Sequence, residues 1–370
     1  MRILVTGAKG FMGKNLIARL NETGRHEIDA FDLDTPFEKL IGWCRTADFV
    51  FHLAGVNRPK EQGEFMAGNF GFTDTLLNAL TAAGNRCPVM LASSTQAALD
   101  NPYGESKRAG EARVFRYAQE TGASVYVFRF PNVFGKWSRP NYNSAVATFC
   151  SNIANGLPIT VNNRETELTL LYIDDLCDTM LDVLAGKVEC GADGICAVPV
   201  THRAKLGRIA DTIQSFRDSR GTLSVADQSD PLTRKLYATY LSFLPTDGFA
   251  YPLTMHADER GSFTEFLRTA EHGQVSINVA KPGVVKGNHY HHTKNEKFLV
   301  VSGSAVIRFR RPDADEVIEY RVSGAELTVV DIPTGYTHSI ENVGTTDLVT
   351  VMWANEPFDP THPDTVFLKV

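Results

Sequence analysis

Long apolar runs and clusters of basic residues are both missing from this sequence. No stretch approaches the ~20 apolar residues that a helix needs to span a bilayer. The formal net charge of −6 at pH 7 disfavours a nucleic-acid partner. The N-terminal segment reaches a glycine turn at Gly7, which leaves too few apolar residues for a signal peptide. These absences predict a cytoplasmic protein that binds neither membranes nor nucleic acids.

Cysteine is also scarce, and its spacing is not that of a metal or redox pair. The chain has 6 cysteines in 370 residues, and none of them forms a CxxC motif. Without an export signal, we predict that all of them are reduced thiols. They are Cys44, Cys87, Cys150, Cys177, Cys190 and Cys196. The remaining composition, 43% hydrophobic and 22% charged, is typical of a globular protein long enough for two domains.

The first residues form a pattern typical of dinucleotide-binding folds. Ile3-Leu4-Val5 predicts a short strand, a glycine-rich loop follows, and apolar residues then recur at helical spacing. Glycines let the backbone approach a pyrophosphate, which binds the free N–H groups at the start of the helix. An ordinary turn between strand and helix is the alternative interpretation. The candidate cofactor-binding residues of this loop are Gly7, Lys9, Gly10, Phe11, Met12 and Gly13.

Two residues near this loop give conflicting indications of the cofactor. Asp32 follows the second predicted strand, where a carboxylate commonly binds ribose hydroxyls and repels a 2′-phosphate, so it favours NAD. Lys9 lies in the glycine loop, and its cation could reach a 2′-phosphate. The residues themselves therefore leave both NADPH and NADH open.

Further apolar strands alternate with helices through the first half of the chain. Strands are predicted at 47–53, 89–92 and 125–128, and helices at about 72–84 and 105–121. This alternation predicts an α/β fold of the Rossmann type, with a doubly wound parallel sheet. Functional residues are expected at the carboxyl ends of its strands.

The stretch from Asn101 to Lys107 contains a candidate pair for proton transfer. Pro102 suits the first turn of a helix, in which Tyr103 and Lys107 lie four residues apart on one face. A nearby ammonium stabilises a phenolate, so we expect Tyr103 to release its proton more readily near neutral pH. Such a pair interconverts carbonyls and alcohols by general acid/base catalysis. The spacing is common by chance in a chain with 11 tyrosines, so its context matters.

These motifs together resemble those of extended short-chain dehydrogenase/reductases that act on nucleotide sugars. The resemblance covers residues 1 to about 245 and includes Tyr172-Ile173-Asp174-Asp175-Leu176. It implies that Tyr103 donates or accepts the proton and that Lys107 tunes it and holds the nicotinamide ribose. Ser94, or Thr95 as the alternative, would hydrogen-bond the reacting oxygen. The remaining cofactor contacts that the resemblance implies are Leu53, Ala54, Gly55 and Asn132.

The sequence departs from this family in two places. The segment between Thr95 and Tyr103 is much shorter than usual, which leaves open which hydroxyl is catalytic. Gln96-Ala97 stands where the 4,6-dehydratases carry an acidic pair. Dehydratase activity is therefore not expected.

The second half of the chain changes to short strands separated by glycines, which predicts a β-sandwich or barrel from about residue 249. His289 and His291 are two apart in a predicted strand and would share a face, with Glu296 and His338 arriving from neighbouring strands. Three imidazoles and a carboxylate suit Zn²⁺, and Mn²⁺, Fe²⁺ or Ni²⁺ remain possible. Histidines hydrogen-bonded in a barrel without metal are the alternative. The alternate residues Tyr290 and His292 are expected outside the barrel.

Both histidine blocks resemble the two halves of the cupin signature. The segment Asp258–Glu265 resembles the opening of the deoxysugar 3,5-epimerase cupins, which act on 4-keto nucleotide sugars. The sequence therefore predicts a reductase domain at 1–245 and a metal-binding cupin epimerase domain at 246–370.

The order of the two domains resembles bifunctional enzymes of capsular polysaccharide synthesis. The resemblance implies that the cupin inverts C3 of a UDP-4-keto-6-deoxy-N-acetylhexosamine. The first domain would reduce C4 with NADPH to give UDP-2-acetamido-2,6-dideoxy-β-L-talose, on the route to UDP-N-acetyl-L-fucosamine. It also implies zinc in the cupin and a homodimer. The alternatives are a 4-ketoreductase with a structural cupin, an NAD-recycling UDP-sugar 4-epimerase, and a non-enzymatic dinucleotide sensor.

Overall fold

The computed structural model describes residues 1–254, 256–258, 261–263, 274–356 and 361–370. The chain divides into two compact units. The first unit contains Met1–Ser144 and Leu168–Arg203, and the second unit contains Ala145–Glu167 and Ala204–Val370. Within the described ranges, none of the helices has the length and apolar character needed to cross a membrane.

Residues 1–205 alternate strands and helices. In chain order they form β1 (Arg2–Thr6), α1 (Phe11–Glu22), β2 (Glu27–Phe31), α2 (Phe37–Cys44), β3 (Phe49–His52), α3 (Gly63–Phe65), a π-helix (Met66–Gly71), α4 (Phe72–Ala82), β4 (Val89–Ser94), a 3₁₀ helix (Thr95–Ala98), α5 (Pro102–Thr121), β5 (Val125–Phe130), β6 (Asn132–Phe134), α6 (Ala145–Ala154), β7 (Glu167–Tyr172), α7 (Ile173–Leu184), β8 (Ile195–Cys196) and β9 (His202–Lys205).

The first unit is built on a six-stranded parallel sheet in the order β2-β1-β3-β4-β5-β8. Helices cover the sheet, so its central strands are buried and read as continuous apolar runs. Leu76 and Leu80 of α4 and Val114 of α5 join Leu4 and Val127 of the strands in one core. The structure confirms the predicted α/β fold.

A disulfide in the first unit contradicts the prediction that every cysteine is a free thiol. Cys190 and Cys196 are bonded to each other. The two residues also pair as an antiparallel bridge next to β8, so a hairpin brings together cysteines that are six apart in sequence. A search for CxxC motifs does not detect such a pair, because the two cysteines are brought together by the hairpin and not by close spacing in the sequence. The other four cysteines are free thiols, as predicted, and all four are buried.

Residues 206–370 begin with helices and continue as strands. In chain order they form α8 (Leu206–Thr222), α9 (Pro231–Leu241), a 3₁₀ helix (Thr246–Gly248), β10 (Ala250–Pro252), β11 (His256–Asp258), β12 (Gly261–Phe263), β13 (Gln274–Ala280), β14 (Val285–Tyr290), β15 (Glu296–Ser302), β16 (Ser304–Arg310), β17 (Val317–Ser323), β18 (Thr328–Ile332), β19 (Thr337–Asn342), β20 (Leu348–Ala354) and β21 (Val366–Phe367).

The strands of the second unit form two five-stranded antiparallel sheets. Their orders are β10-β18-β15-β20-β13 and β17-β16-β19-β14-β21. Side chains of the two sheets meet, since the ring of Phe298 on β15 lies 5.8 Å from that of His338 on β19. The structure thus confirms the predicted all-β region of the cupin type.

A buried ion cluster joins α8 of the second unit to two of its strands. Asp331 on β18 accepts a hydrogen bond from Lys297 Nζ on β15 at 2.6 Å. It also accepts a hydrogen bond from the guanidinium of Arg220 on α8. Tyr251 on β10 stacks near both cations, with the guanidinium carbon of Arg220 5.0 Å and Lys297 Nζ 5.4 Å from its ring centre. One carboxylate therefore balances two buried or half-buried cations.

Candidate functional site

The candidate reductase site is organised by the N-terminal end of α5. Asn101 accepts a hydrogen bond from the Gly104 N–H at 2.8 Å, and Pro102 occupies the first turn, so the helix begins where the sequence predicts. Tyr103 and Lys107 consequently share one face, with Lys107 Nζ 5.8 Å from the centre of the Tyr103 ring. Lys107 is buried, and its Nζ donates to the Ala92 carbonyl of β4 at 3.2 Å.

Asn57 is a contact of the catalytic candidate that sequence reasoning missed. The Tyr103 hydroxyl donates to Asn57 Oδ1 at 2.9 Å, although the two residues are 46 apart in sequence. The loop that carries Asn57 is held by Asn69 of the π-helix, which bonds both backbone groups of Val56. A π-helix is often found at functional sites. Its position in the sequence is the one indication of this role, because Asn57 follows the carboxyl end of β3, where functional residues are expected.

Burial shifts the pKa values of Tyr103 and Lys107, and the shift at Tyr103 is opposite to the one expected from the sequence. Burial raises the pKa of the Tyr103 phenol, and a hydrogen bond with Ser94 opposes this only partly. Burial also lowers the pKa of Lys107 to about 8, against a smaller upward effect of Glu111. We expected Lys107 to lower the pKa of Tyr103, but desolvation of the phenolate is the larger effect. Tyr103 is therefore a phenol near neutral pH, the state of a proton donor.

Ser94 and Thr95 occupy different environments at the end of β4. Ser94 is the last residue of the strand, and its hydroxyl accepts a hydrogen bond from the Gln96 N–H at 3.2 Å. Thr95 begins the following 3₁₀ helix and is exposed. Ser94 is the member of this pair whose hydrogen bond affects the pKa of Tyr103.

The glycine-rich loop has the close packing that a pyrophosphate cradle requires. Gly7 has φ +68°, and a Cβ there would lie 2.8 Å from the Ala54 backbone nitrogen. A Cβ on Gly13 would lie 2.2 Å from the Gly7 carbonyl oxygen. Helix α1 begins at Phe11, directly after Gly10, so its first N–H groups face out of the loop. These residues fit a dinucleotide.

The other candidate cofactor residues lie on several different segments of the first unit. The Lys9 N–H donates to Asp32 Oδ2 at 2.7 Å, and the Lys9 ammonium pairs with Asp34. Leu53 is buried, and a Cβ on Gly55 would approach Lys107 Nζ to 3.1 Å, so this segment borders the Tyr103–Lys107 pair. Asn132 lies at the start of β6, and its amide donates to the Thr169 carbonyl at 3.1 Å.

The second unit brings the four predicted metal ligands into one cluster, which we call the metal cluster: His289, His291, Glu296 and His338. Their ligand atoms lie within 4.8 Å of one another. Glu296 Oε2 is 3.4 Å from His291 Nε2 and 3.5 Å from His338 Nε2. His289 and His338 are cross-strand partners of β14 and β19, whereas Glu296 begins β15 of the other sheet.

The local geometry of the metal cluster differs from the prediction in one detail. Strand β14 ends at Tyr290, so His291 lies just beyond the strand, and the register shifts between Gly287 and His289. Tyr290 and His292 are buried, with ring centres 5.3 Å apart, while the ring centres of His289 and His291 are 5.0 Å apart, so the two pairs still alternate along the chain. The position of Tyr290 and His292 outside the barrel stays a prediction. Glu259, Arg260, Thr264 and Glu265 of the epimerase-like segment lie outside the described residues.

The protonation states of the metal cluster suit a divalent cation. Burial, His338 and His291 lower the pKa of His289 to about 4, and burial also lowers that of His338. Burial would raise the pKa of Glu296, but the neighbouring His291 and His338 hold it well below its usual range. Within the described residues, His291 Nε2, His338 Nε2 and Glu296 Oε2 are buried without a well-formed hydrogen bond. Neutral imidazoles and an ionised carboxylate are the forms that bind metal.

A cavity of about 300 Å³ adjoins the metal cluster. Phe298, Ile340 and Met352 form its apolar wall, and Lys294 lies on its polar side. Lys294 Nζ is 3.2 Å from Glu296 Oε1. The second unit therefore presents a cation-binding set at the wall of a space large enough for a small ligand.

The chain is similar to known proteins over its whole length. Residues 3–193 match the NAD dependent epimerase/dehydratase family, and residues 256–366 match the polysaccharide biosynthesis C-terminal domain. A UDP-2-acetamido-2,6-beta-L-arabino-hexul-4-ose reductase from Pseudomonas aeruginosa is 47% identical, and the match covers 100% of this chain and 99% of that enzyme. The crystal structure of the capsular polysaccharide assembling protein CapF from Staphylococcus aureus is 52% identical, covers 100% of both chains and has a TM-score of 0.70.

Proposed function

The chain belongs to the NAD dependent epimerase/dehydratase family, and from this premise we propose that it is a bifunctional nucleotide-sugar enzyme. In this proposal, the second unit's metal cluster serves inversion at C3 of a UDP-4-keto-6-deoxy-N-acetylhexosamine. The Tyr103 site then serves reduction at C4. The observation that carries the proposal is the Tyr103 phenol beside Lys107, in a chain 47% identical to a hexulose reductase.

The reductase step follows from the chemistry of the Tyr103 site. A nicotinamide dinucleotide held by the glycine loop would supply the hydride for the C4 carbonyl. Ser94 would donate a hydrogen bond to the carbonyl oxygen, and Tyr103 would give its proton to the alkoxide that develops there. Lys107 would hold the nicotinamide ribose and provide positive charge near that oxygen. The high pKa of the Tyr103 phenol favours this direction, because the donor is loaded with its proton near neutral pH.

The epimerase step uses the same ketone in another way. The 4-keto group acidifies the C3–H, so that proton can leave and return on the opposite face. The four members of the metal cluster would hold Zn²⁺, and that ion would supply a positive charge that polarises the carbonyl. Lys294 would add a second positive charge at the cavity wall. Reduction at C4 would then remove the ketone and fix the new C3 configuration.

The finer assignments extend this proposal. We assign the reductase to residues 1–245 and the epimerase to residues 246–370. We also assign NADPH as reductant, UDP-2-acetamido-2,6-dideoxy-β-L-talose as product, a homodimer as the assembly and the cytoplasm as the location. Lys9 supports NADPH, whereas Asp32 opposes it; the Lys9 ammonium pairs with Asp34, and the Lys9 N–H donates to Asp32 Oδ2.

An NAD-recycling UDP-sugar 4-epimerase is the second candidate. Asp32 favours it, because a carboxylate at the end of β2 is typical of NAD-binding sites. Copurified NAD and no net consumption of reductant would identify this activity.

One experiment tests both steps of the proposal. NADPH and NADH oxidation is measured on a mixture of UDP-4-keto-6-deoxy-N-acetylhexosamines in D₂O, and the product is examined by NMR. NADPH consumption with deuterium at C3 is the expected result. Consumption without deuterium at C3 would reduce the metal cluster to a structural role. No oxidation of either cofactor would refute the reductase.

A further inference from the structure

The residues after Thr361 form a strand that pairs with the strand carrying the first metal ligand. In β21, Phe367 is the partner of His289, and Val366 is the partner of Tyr290. The Leu368 N–H donates to the Asn288 carbonyl at 2.9 Å, and the Val370 N–H donates to Asn288 Oδ1 at 3.2 Å. This C-terminal strand therefore fixes the backbone on which the metal cluster begins.

Asp364 precedes β21 and touches the cluster through its backbone. Its carbonyl oxygen accepts a hydrogen bond from His291 Nδ1, across 73 residues of sequence. A carbonyl can only accept, so Nδ1 carries the proton and the lone pair of Nε2 faces Glu296. Metal-bound histidines are commonly oriented by such a bond to the other ring nitrogen.

The carboxylate of Asp364 holds the loop that follows His291. Oδ1 accepts from the His292 N–H at 2.9 Å. Oδ2 accepts from the Thr293 N–H at 2.6 Å, the Thr293 hydroxyl at 2.9 Å and the Lys294 N–H at 2.7 Å. Four donors on one carboxylate are a concentrated set of charge-assisted bonds. The same loop carries Lys294, whose Nζ lies 3.2 Å from Glu296 Oε1.

We propose that Asp364 is a positioning residue of the metal centre, orienting His291 through its carbonyl and placing Lys294 against Glu296 through its carboxylate. The inference rests on the proposed metal-binding function of the cluster. Loss of the Asp364 carboxylate would free the loop at 292–294, and His291 and Lys294 would lose their fixed orientation toward Glu296. The metal would then bind more weakly, although every ligand is still present.

The test measures metal binding by the full chain. Asp364→Asn keeps the size of the side chain but turns its amide group toward one of the backbone N–H groups. Asp347→Asn is the matched control, because Asp347 belongs to the same unit and pairs with exposed Lys281. Zn²⁺ affinity is measured by competition with a chelator, and the Co²⁺ form is compared by its visible absorption. Thermal unfolding with excess chelator reports the stability of the metal-free fold.

Asp364→Asn is expected to weaken Zn²⁺ binding by about 10- to 100-fold and to alter the Co²⁺ spectrum, and to lower metal-free stability more than Asp347→Asn does, because the amide cannot accept all four bonds. Unchanged affinity and spectrum would overturn the inference. If Asp364→Asn does not fold, Thr293→Val decides, since it removes one of the four bonds; weaker Zn²⁺ binding supports the inference and unchanged binding overturns it. A wild-type protein that binds neither ion would overturn the metal centre itself, and this inference with it.

Discussion

Burial has opposite chemical consequences in the two candidate sites. In the reductase site it raises the pKa of Tyr103 and lowers that of Lys107 to about 8, so the site holds a proton that it can give away. In the metal cluster it lowers the pKa of His289 to about 4, while the neighbouring His291 and His338 hold the pKa of Glu296 well below its usual range. That site therefore holds lone pairs and a negative charge. Burial favours the uncharged form of an ionisable side chain in both sites. The hydrogen-bond and charge partners of each side chain then decide whether it can donate a proton or bind a cation.

The Tyr103→Phe variant is expected to separate the activities of the two sites most clearly. Removing the hydroxyl takes away the proton donor, so reduction at C4 is expected to fall by roughly 10²–10⁴-fold. Zn²⁺ content and deuterium exchange at C3 are expected to stay at wild-type levels. Glu296→Gln is the reciprocal variant, which should lose Zn²⁺ and C3 exchange and keep cofactor oxidation on a preformed C3 epimer. Loss of both activities in either variant would contradict two separate sites.

The buried ion pairs of the two units are expected to differ in how much they contribute to stability. Asp331→Asn leaves Lys297 and Arg220 without their carboxylate, so we expect unfolding free energy to fall by about 3–5 kcal/mol. In the first unit, Lys136 Nζ is 2.6 Å from Asp174, and the same carboxylate also acts on Arg19. Asp174→Asn is expected to cost less, because Arg19 keeps its pairs with Asp178 and Glu22. Urea unfolding followed by far-UV circular dichroism measures both variants. An equal or larger loss in Asp174→Asn would refute this ranking.

The pH dependence of reduction is expected to follow Lys107. Its pKa of about 8 in the folded protein lies below its ordinary value of 10.5, so the unfolded chain binds more protons between these pH values. Stability therefore rises with pH across that window, whereas activity that needs the ammonium falls as pH rises through about 8. A plot of kcat/KM against pH should lose about tenfold per unit above that point. A profile without a falling limb near pH 8 would show that Lys107 does not set this titration.

The smallest predicted effect concerns cofactor choice. The Lys9 ammonium is paired with Asp34 beside the carboxyl end of β2. Asp34→Asn frees that cation for a 2′-phosphate, so the ratio of kcat/KM for NADPH to that for NADH should rise by about two- to fivefold. Combining the variant with Lys9→Ala should abolish the gain. An unchanged ratio in Asp34→Asn would show that Lys9 does not contact the 2′-phosphate.

The sequence predicts those parts of the molecule that local patterns encode. Pro102 and Asn101 mark the start of α5, and the four-residue spacing then places Tyr103 and Lys107 on one face. The two histidine blocks likewise predict the metal cluster, because each block lies in its own strand or strand end.

The contacts that the sequence does not reveal are tertiary. Asn57 reaches Tyr103 and Asp364 reaches His291 only because the sheets bring distant loops together. The direction of the pKa shift at Tyr103 depends on how deeply the phenol is buried, which no spacing records. The Cys190–Cys196 bond depends on a hairpin that their separation does not specify.

The second unit is built from two separate segments of the chain, and this has a consequence during protein synthesis. Helix α6 is made early, but it packs against α8 and α9, which begin at Leu206 and Pro231. At about 5–20 residues per second, a ribosome needs several seconds to deliver them. Until then Val146, Phe149 and Ile153, which are buried in the finished fold, lack the two helices that α6 packs against. The apolar face of α6 is therefore where a chaperone is expected to bind the growing chain.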